Sequence, residues 1–140
     1  MAAPNPQAIR PWQHVLDPLG GYLLLGIKLA GDAHRFSEAW NFGPSDHSYR
    51  TVRELVGKIC KRWGGGSFTD AHDDSALHEE DVLALDTTKS SVYLGWRPLL
   101  DLDAAVNETV AWYRDVQSGS NPLLTTTEQI DRLTEVMVKP

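Results

Sequence analysis

Arg10 stands in the run Arg10-Pro11-Trp12-Gln13-His14-Val15, which reads as an extended segment. An Arg fixed beside a bulky indole presents a planar fork of donors, whose natural acceptors are phosphate and carboxylate. By residue type alone, a structural ion pair suits it as well as an anion site does. A second concentration of reactive groups is Asp70-Ala71-His72-Asp73-Asp74, followed by His78-Glu79-Glu80-Asp81. Carboxylates and imidazoles bind divalent metals. This spacing follows no zincin or EF-hand pattern, so a solvated acidic loop is the expectation. Cys60 is the one cysteine, which excludes an internal disulfide and a Cys-based zinc site. It falls on an apolar helical stripe, the setting of a buried structural thiol and not of a reactive one.

Other chemistry is missing its motifs. Gly64-Gly65-Gly66 is the one Gly cluster, and it follows a helical pattern. A dinucleotide site needs a strand, a tight turn and a helix N-terminus in that order. There is no G-x-S-x-G elbow. None of Tyr22, Tyr49, Tyr93 and Tyr113 is followed four residues later by Lys. The formal net charge of −6, with Lys and Arg scattered, offers no basic stripe for nucleic acid or an anionic membrane. The longest apolar run, Tyr22-Leu23-Leu24-Leu25, is far short of the ~20 residues that span a bilayer. Met1-Ala2-Ala3-Pro4 does not begin a signal peptide, so a cytoplasmic protein is the expectation.

The elements that would hold these groups are mostly helices. Asp17-Pro18 predicts a helix start, and Gly31 its end. Gly20, Gly21 and Gly26 inside that helix suggest close approach of another backbone. Ala39-Trp40-Asn41-Phe42-Gly43 predicts a short strand, with a turn at Pro44-Ser45-Asp46. Thr51-x-x-Glu54 is a capping box for a helix bearing Val52, Leu55, Val56, Ile59, Cys60 and Trp63. Ser67-Phe68-Thr69 is a short strand at best, and Val82 to Leu85 reads as extended. Asp86 caps a short helix that Gly95 ends. Asp101 or Asp103 opens a longer helix with Leu102, Ala105, Val106, Thr109, Trp112, Tyr113 and Val116 on its apolar side. Thr125-x-x-Glu128 predicts a last one. At 140 residues and 41% hydrophobic, the chain suits one domain, residues 1–140. The fold class is α+β, mostly helical with a few short strands, a cap that leans on something larger.

Three segments resemble the CDP-glucose 4,6-dehydratases, of the extended short-chain dehydrogenase/reductase superfamily. The first and most specific is Asn5 through Leu23, where Arg-Pro-Trp-Gln-His-Val leads into a Pro-Leu helix. The second is Ala39-Trp40-Asn41-Phe42-Gly43-Pro44. The third runs from Leu77-His78-Glu79 through Leu85-Asp86 and Lys89 to Leu94-Gly95-Trp96-Arg97-Pro98. The Leu-Gly-Trp end is shared more widely, by many nucleotide-sugar enzymes.

The resemblance implies the C-terminal, substrate-binding part of an NAD-dependent lyase. That enzyme converts CDP-glucose to CDP-4-keto-6-deoxyglucose in deoxysugar biosynthesis. NAD would be held by an N-terminal Rossmann domain that these residues do not include, with no cofactor expected for this chain alone. Carried over by motif, Arg10 would contact the diphosphate or ribose. Ser45 or Asp46 would lie near the ribose or phosphate, His78 near the diphosphate, and Trp12 and His14 would shape the wall. None is a catalytic acid or base. The expected partners are CDP-glucose or a related nucleotide-sugar and a Rossmann domain, with homodimers for the full-length enzyme. The chain by itself is expected to be inactive. The alternative is a non-catalytic nucleotide-sugar-binding or partner-docking module.

Overall fold

The computed structural model describes residues 2–3, 5–45, 48–70 and 82–138. It is mostly helical, with two two-stranded sheets, as the α+β reading expects. In order, the elements are β1 (Ala2–Ala3), β2 (Ile9–Pro11), α1 (Leu16–Gly31), α2 (Ala33–Phe36), β3 (Tyr49–Thr51), α3 (Val52–Trp63), β4 (Thr69–Asp70), a π-helical turn (Ser90–Leu94), α4 (Leu102–Gln117) and α5 (Pro122–Val138). β1 pairs parallel with β4, and β2 antiparallel with β3.

Two clusters make the core. Phe36, Phe42, Leu94 and Trp96 pack together, with Leu24, Leu25 and Leu29 of α1 and Trp40 against them. The Phe42 ring meets Trp96 edge to face at 5.1 Å. Gly21 lets that ring lie on α1: a Cβ there would be 2.3 Å from it. The predicted close approach is thus made by a side chain, and Gly26 has nothing near it. The second cluster is Leu102, Val106 and Val110 of α4, closed by Leu55 and Ile59 of α3 and by Trp12.

α3 starts as its sequence predicts. Thr51 and Glu54 exchange the reciprocal bonds of a capping box, and Gly64 ends the helix at φ +96°. Asp101 caps α4, its carboxylate accepting the Ala104 N–H at 2.8 Å. Gly95, at φ +71°, ends the short helical segment that Asp86 opens. Cys60 is half-buried, against the expectation of full burial.

Four expectations are corrected. Ala39–Gly43 forms no strand; Phe42 buries its ring, and its carbonyl accepts from the Gln13 side chain. Asp17 lies inside the first turn of α1 and does not cap it. Its carboxylate instead accepts the N–H groups of Leu99 and Leu100, at 2.8 and 3.4 Å. α5 begins at Asn121-Pro122, where Asn121 accepts from the Leu123 and Leu124 N–H groups, so Thr125 sits within the helix. On α4, Val110 is buried where Tyr113 is 57% exposed.

Candidate substrate-binding site

β2 is the axis of the site: the first motif segment contains it, and the third touches it and its partner. On one side its register with β3 is Ile9↔Thr51, Arg10↔Arg50 and Pro11↔Tyr49. On the other, Ile9 bridges Val82 in parallel, and the Leu83 N–H donates to the Ile9 carbonyl at 3.2 Å. Tyr49 clasps the same segment. Its hydroxyl donates to the Leu85 carbonyl at 3.2 Å and accepts the Leu85 N–H at 3.0 Å.

The register puts Arg10 directly opposite Arg50. Side chains of such a pair leave the same face, with Cβ atoms about 5 Å apart, and like charges there are destabilising. Each guanidinium bends toward backbone: Arg10 Nη1 donates to the Ile9 carbonyl at 2.9 Å, and Arg50 Nη1 to the Tyr49 carbonyl at 2.7 Å. The carboxylate of Glu54 lies 3.9 Å from Arg50 Nε and also accepts from Thr51. Two guanidinium groups on one face of a ribbon carry several N–H donors, the kind of group that phosphate and carboxylate oxygens accept from. Sequence reasoning named Arg10 as a candidate and did not name Arg50, though Tyr49-Arg50-Thr51 is a β-prone triplet just before the capping box.

Trp12 braces this pair. Its indole Nε1 donates to the Arg50 carbonyl at 2.8 Å, while the ring packs on Leu102, Val106 and Val110. His14 lies apart from the arginines. It is buried, 6% exposed, in a groove of about 460 Å³ lined also by Gln13, Val15, Leu16, Thr109, Trp112, Tyr113, Thr126 and Gln129. Its Nδ1 accepts the Leu16 N–H at 3.3 Å, which leaves the proton of the neutral ring on Nε2. Burial pushes its pKa below the usual 6.5, against the upward pull of Asp17 and Glu108. Burial raises Asp17, while the Leu99 and Leu100 N–H groups and His14 hold it down. At Glu108 burial pushes upward, but Gln129 and Arg132 outweigh it and the net direction is down.

Ser45 is half-buried and its carbonyl accepts the Ser48 N–H at 2.9 Å, in the loop that leads into β3. Asp46 and His78 lie outside the described residues, as does most of the acidic loop. Arg10 thus shares the β2–β3 ribbon with Arg50, Trp12 adjoins it just beyond β2, and His14 belongs to the separate groove. Among the described residues, no group of three or more His, Cys, Asp or Glu could hold a metal ion. Nor does any strand there lead through a Gly turn into a helix N-terminus. Gly64-Gly65-Gly66 follows the C-terminal end of α3, the negative end of the helix dipole, where a pyrophosphate is repelled. These residues do not fit a dinucleotide, and no hydride step is derived from them.

Comparison with known proteins agrees with the motif reading. The chain is 36% identical over 126 residues to the CDP-glucose 4,6-dehydratase of Salmonella typhimurium, a match that covers 90% of the chain and 35% of that protein. Its kinship is with the C-terminal portion of the dehydratase family. A dTDP-glucose 4,6-dehydratase of Streptomyces antibioticus is 31% identical over 116 residues, 82% of the chain and 32% of that relative. The UDP-glucuronic acid decarboxylase 1 of Xenopus tropicalis is 27% identical over 107 residues, 75% of the chain and 23% of its own length. No family model matches the chain. The chain therefore spans about a third of the length of the dehydratases it matches. No described helix is long and apolar enough to cross a membrane.

Proposed function

We propose that these residues are the nucleotide-sugar-binding portion of a CDP-glucose 4,6-dehydratase, with the diphosphate held between Arg10 and Arg50. The observation that carries this is the apposition of the two arginines across β2 and β3, with Arg10 inside the segment that most resembles the family. Like charges directly opposite one another on one face repel, and a diphosphate between them would offset that repulsion. Ser45 stands on the loop entering β3, where a ribose hydroxyl would be within reach of a polar side chain; Asp46 and His78 remain proposed contacts from the motif alone. Trp12 acts from behind, by fixing the Arg50 backbone. His14 shapes the groove and does not touch the anion.

In the proposed enzyme the reaction takes CDP-glucose to CDP-4-keto-6-deoxyglucose and water. NAD, bound by a Rossmann domain, would supply oxidation at C4 and hydride return at C6. This chain contributes binding and orientation, since positioning a reacting carbon needs both surfaces.

Calorimetry with CDP-glucose, CDP and glucose tests the binding. CDP-glucose and CDP should bind and glucose should not. Arg10→Gln and Arg50→Gln should each weaken CDP by about 10-fold, the loss of one charge-assisted bond. Wild-type affinity for CDP in both variants would refute the diphosphate site. With CDP-glucose and NAD, the 140-residue chain alone should yield no 4-keto product, and turnover would overturn the division of labour.

A further inference from the structure

We infer that Glu54 is a specificity-determining residue of the Arg10–Arg50 site, whose carboxylate opposes the extra charge of a free nucleoside diphosphate and so favours the nucleotide-sugar. The inference rests on the diphosphate reading of that site and deepens it by naming what sets its preference among diphosphates.

β3 runs directly into α3, so Thr51 ends the strand and caps the helix. Glu54 stands at the third helical position, four residues beyond Arg50. Both cap bonds of its carboxylate end on one oxygen. Oε2 accepts the Thr51 N–H at 2.8 Å and the Thr51 hydroxyl at 2.9 Å. Oε1 takes no part in the cap and lies 3.9 Å from Arg50 Nε. A capping box accepts Gln as well as Glu, so the cap needs an oxygen there and not a charge. The charge is present nonetheless. The Thr51 N–H and hydroxyl, then Arg50 and Lys58, hold the Glu54 carboxyl below the usual carboxylate range. Lys58 does not cancel it, because its ammonium pairs with Asp103 at 2.5 Å. The Arg50 and Glu54 side chains are 40% and 50% exposed, so the pair is open to an incoming anion. Ion pairs this exposed contribute little to stability. The larger effect of Glu54 falls on an anion that takes up the same guanidinium.

The candidate ligands differ in charge at the diphosphate. A nucleoside diphosphate ends in a phosphate monoester, whose second ionisation falls at about pH 6. At neutral pH it therefore bears about one charge more than the same diphosphate esterified to a sugar. Two guanidinium cations and one carboxylate leave Arg10, Arg50 and Glu54 with one positive charge in excess. Charges closer than the ~8 Å Debye length of physiological salt act on one another, and a phosphate on Arg50 lies inside that range of Glu54. The extra charge of CDP thus meets a like charge. Unit charges roughly 7 Å apart in water weaken binding about 3-fold.

The test is calorimetry at neutral pH with CDP, CDP-glucose and the β-methyl ester of CDP, which has the sugar-linked charge without the sugar's contacts. Glu54→Gln keeps the cap, as circular dichroism and melting temperature verify. In this variant all three ligands should tighten, CDP by about 3-fold more than the other two. Glu54→Asp keeps the charge while disturbing the cap, and should leave the ratio of CDP to CDP-glucose affinity at its wild-type value. The inference is overturned if that ratio is unchanged in Glu54→Gln, if Glu54→Asp shifts it as Gln does, or if the methyl ester responds as CDP does. Each of these outcomes leaves the diphosphate site standing when Arg10→Gln and Arg50→Gln still weaken CDP. Wild-type CDP affinity in both arginine variants defeats the diphosphate site, and Glu54 loses its role with it.

Discussion

Asp17 offers a test of what a buried carboxylate contributes. It is 2% exposed, and its oxygens accept the Leu99 N–H at 2.8 Å and the Leu100 N–H at 3.4 Å. Its own carbonyl accepts the Trp96 indole at 3.3 Å, so α1 and the Leu94–Leu100 segment meet at this one residue. Burial raises its pKa even against those bonds, so the charge is not what stabilises; the acceptor geometry is. Asp17→Ala strips the acceptor from Leu99 and leaves a shielded N–H unpaired, a loss of about 1–3 kcal/mol. With the weaker Leu100 bond and the small void, the total is about 2–3 kcal/mol, or roughly 10 °C in melting temperature. Asp17→Asn keeps one oxygen for Leu99 and turns its amide toward Leu100, where the 3.4 Å bond was already weak. It should cost less than about 1 kcal/mol at neutral pH. The sign with pH follows. A raised folded pKa means the fold keeps its proton above the unfolded value of 3.8, so wild-type stability falls as pH rises through the window just above 3.8. Asp17→Asn lacks that step. Urea midpoints for the three proteins at neutral pH and near pH 4 decide it. Asn as damaging as Ala would show that the charge matters, and Ala within about 0.5 kcal/mol of wild type would show that the bonds do not.

His14 has the opposite slope: its folded pKa lies below 6.5, so its contribution is complete above 6.5 and lost as pH falls below it. His14→Asn, whose side-chain oxygen can take over acceptance from Leu16, should flatten stability as pH falls below 6.5; an unchanged slope in denaturation against pH would refute the assignment. Gly21 and Gly26 should respond in opposite directions to alanine. Gly21→Ala forces a Cβ to 2.3 Å from the Phe42 ring and should destabilise by about 1–3 kcal/mol. Gly26→Ala enters open space and should gain up to about 1 kcal/mol, as thermal melts of the two variants would show.

Local signals in the sequence were legible wherever a motif needs few neighbours. The Thr51–Glu54 capping box and the ends at Gly64 and Gly95 are fixed by bonds within a few residues and by positive φ. Legibility failed where a distant partner decided the outcome. Asp17 has the type and setting of an N-cap, yet Leu99 and Leu100, more than eighty residues on, take its carboxylate. Ala39–Gly43 has strand-forming aromatics, but the core claims Phe42 and the Gln13 amide claims its carbonyl. Two helix starts compete near the end of the chain, Asn121-Pro122 and Thr125-x-x-Glu128; the earlier wins because Pro122 fits the first helical position. In the site, Arg10 was readable from its flanking Pro and Trp. Arg50 was not, because the β-prone triplet Tyr49-Arg50-Thr51 marks a strand but not the register that sets Arg50 opposite Arg10. His14 read as part of the same wall, but the chain turns at Val15 and carries it into a different groove.

The bond from the Trp12 indole to the Arg50 carbonyl has a consequence for tuning affinity. It ties the strand bearing one arginine to the packing of Val106 and Val110, which lie on another helix. Loosening that distant packing, as by Val106→Ala, slackens a strut and lets the two cations drift apart, with every charge retained. Such a variant would weaken anion binding while its salt dependence stays the same. At the proposed diphosphate site, selection or engineering could thus adjust the grip on the ligand through greasy residues that never meet it.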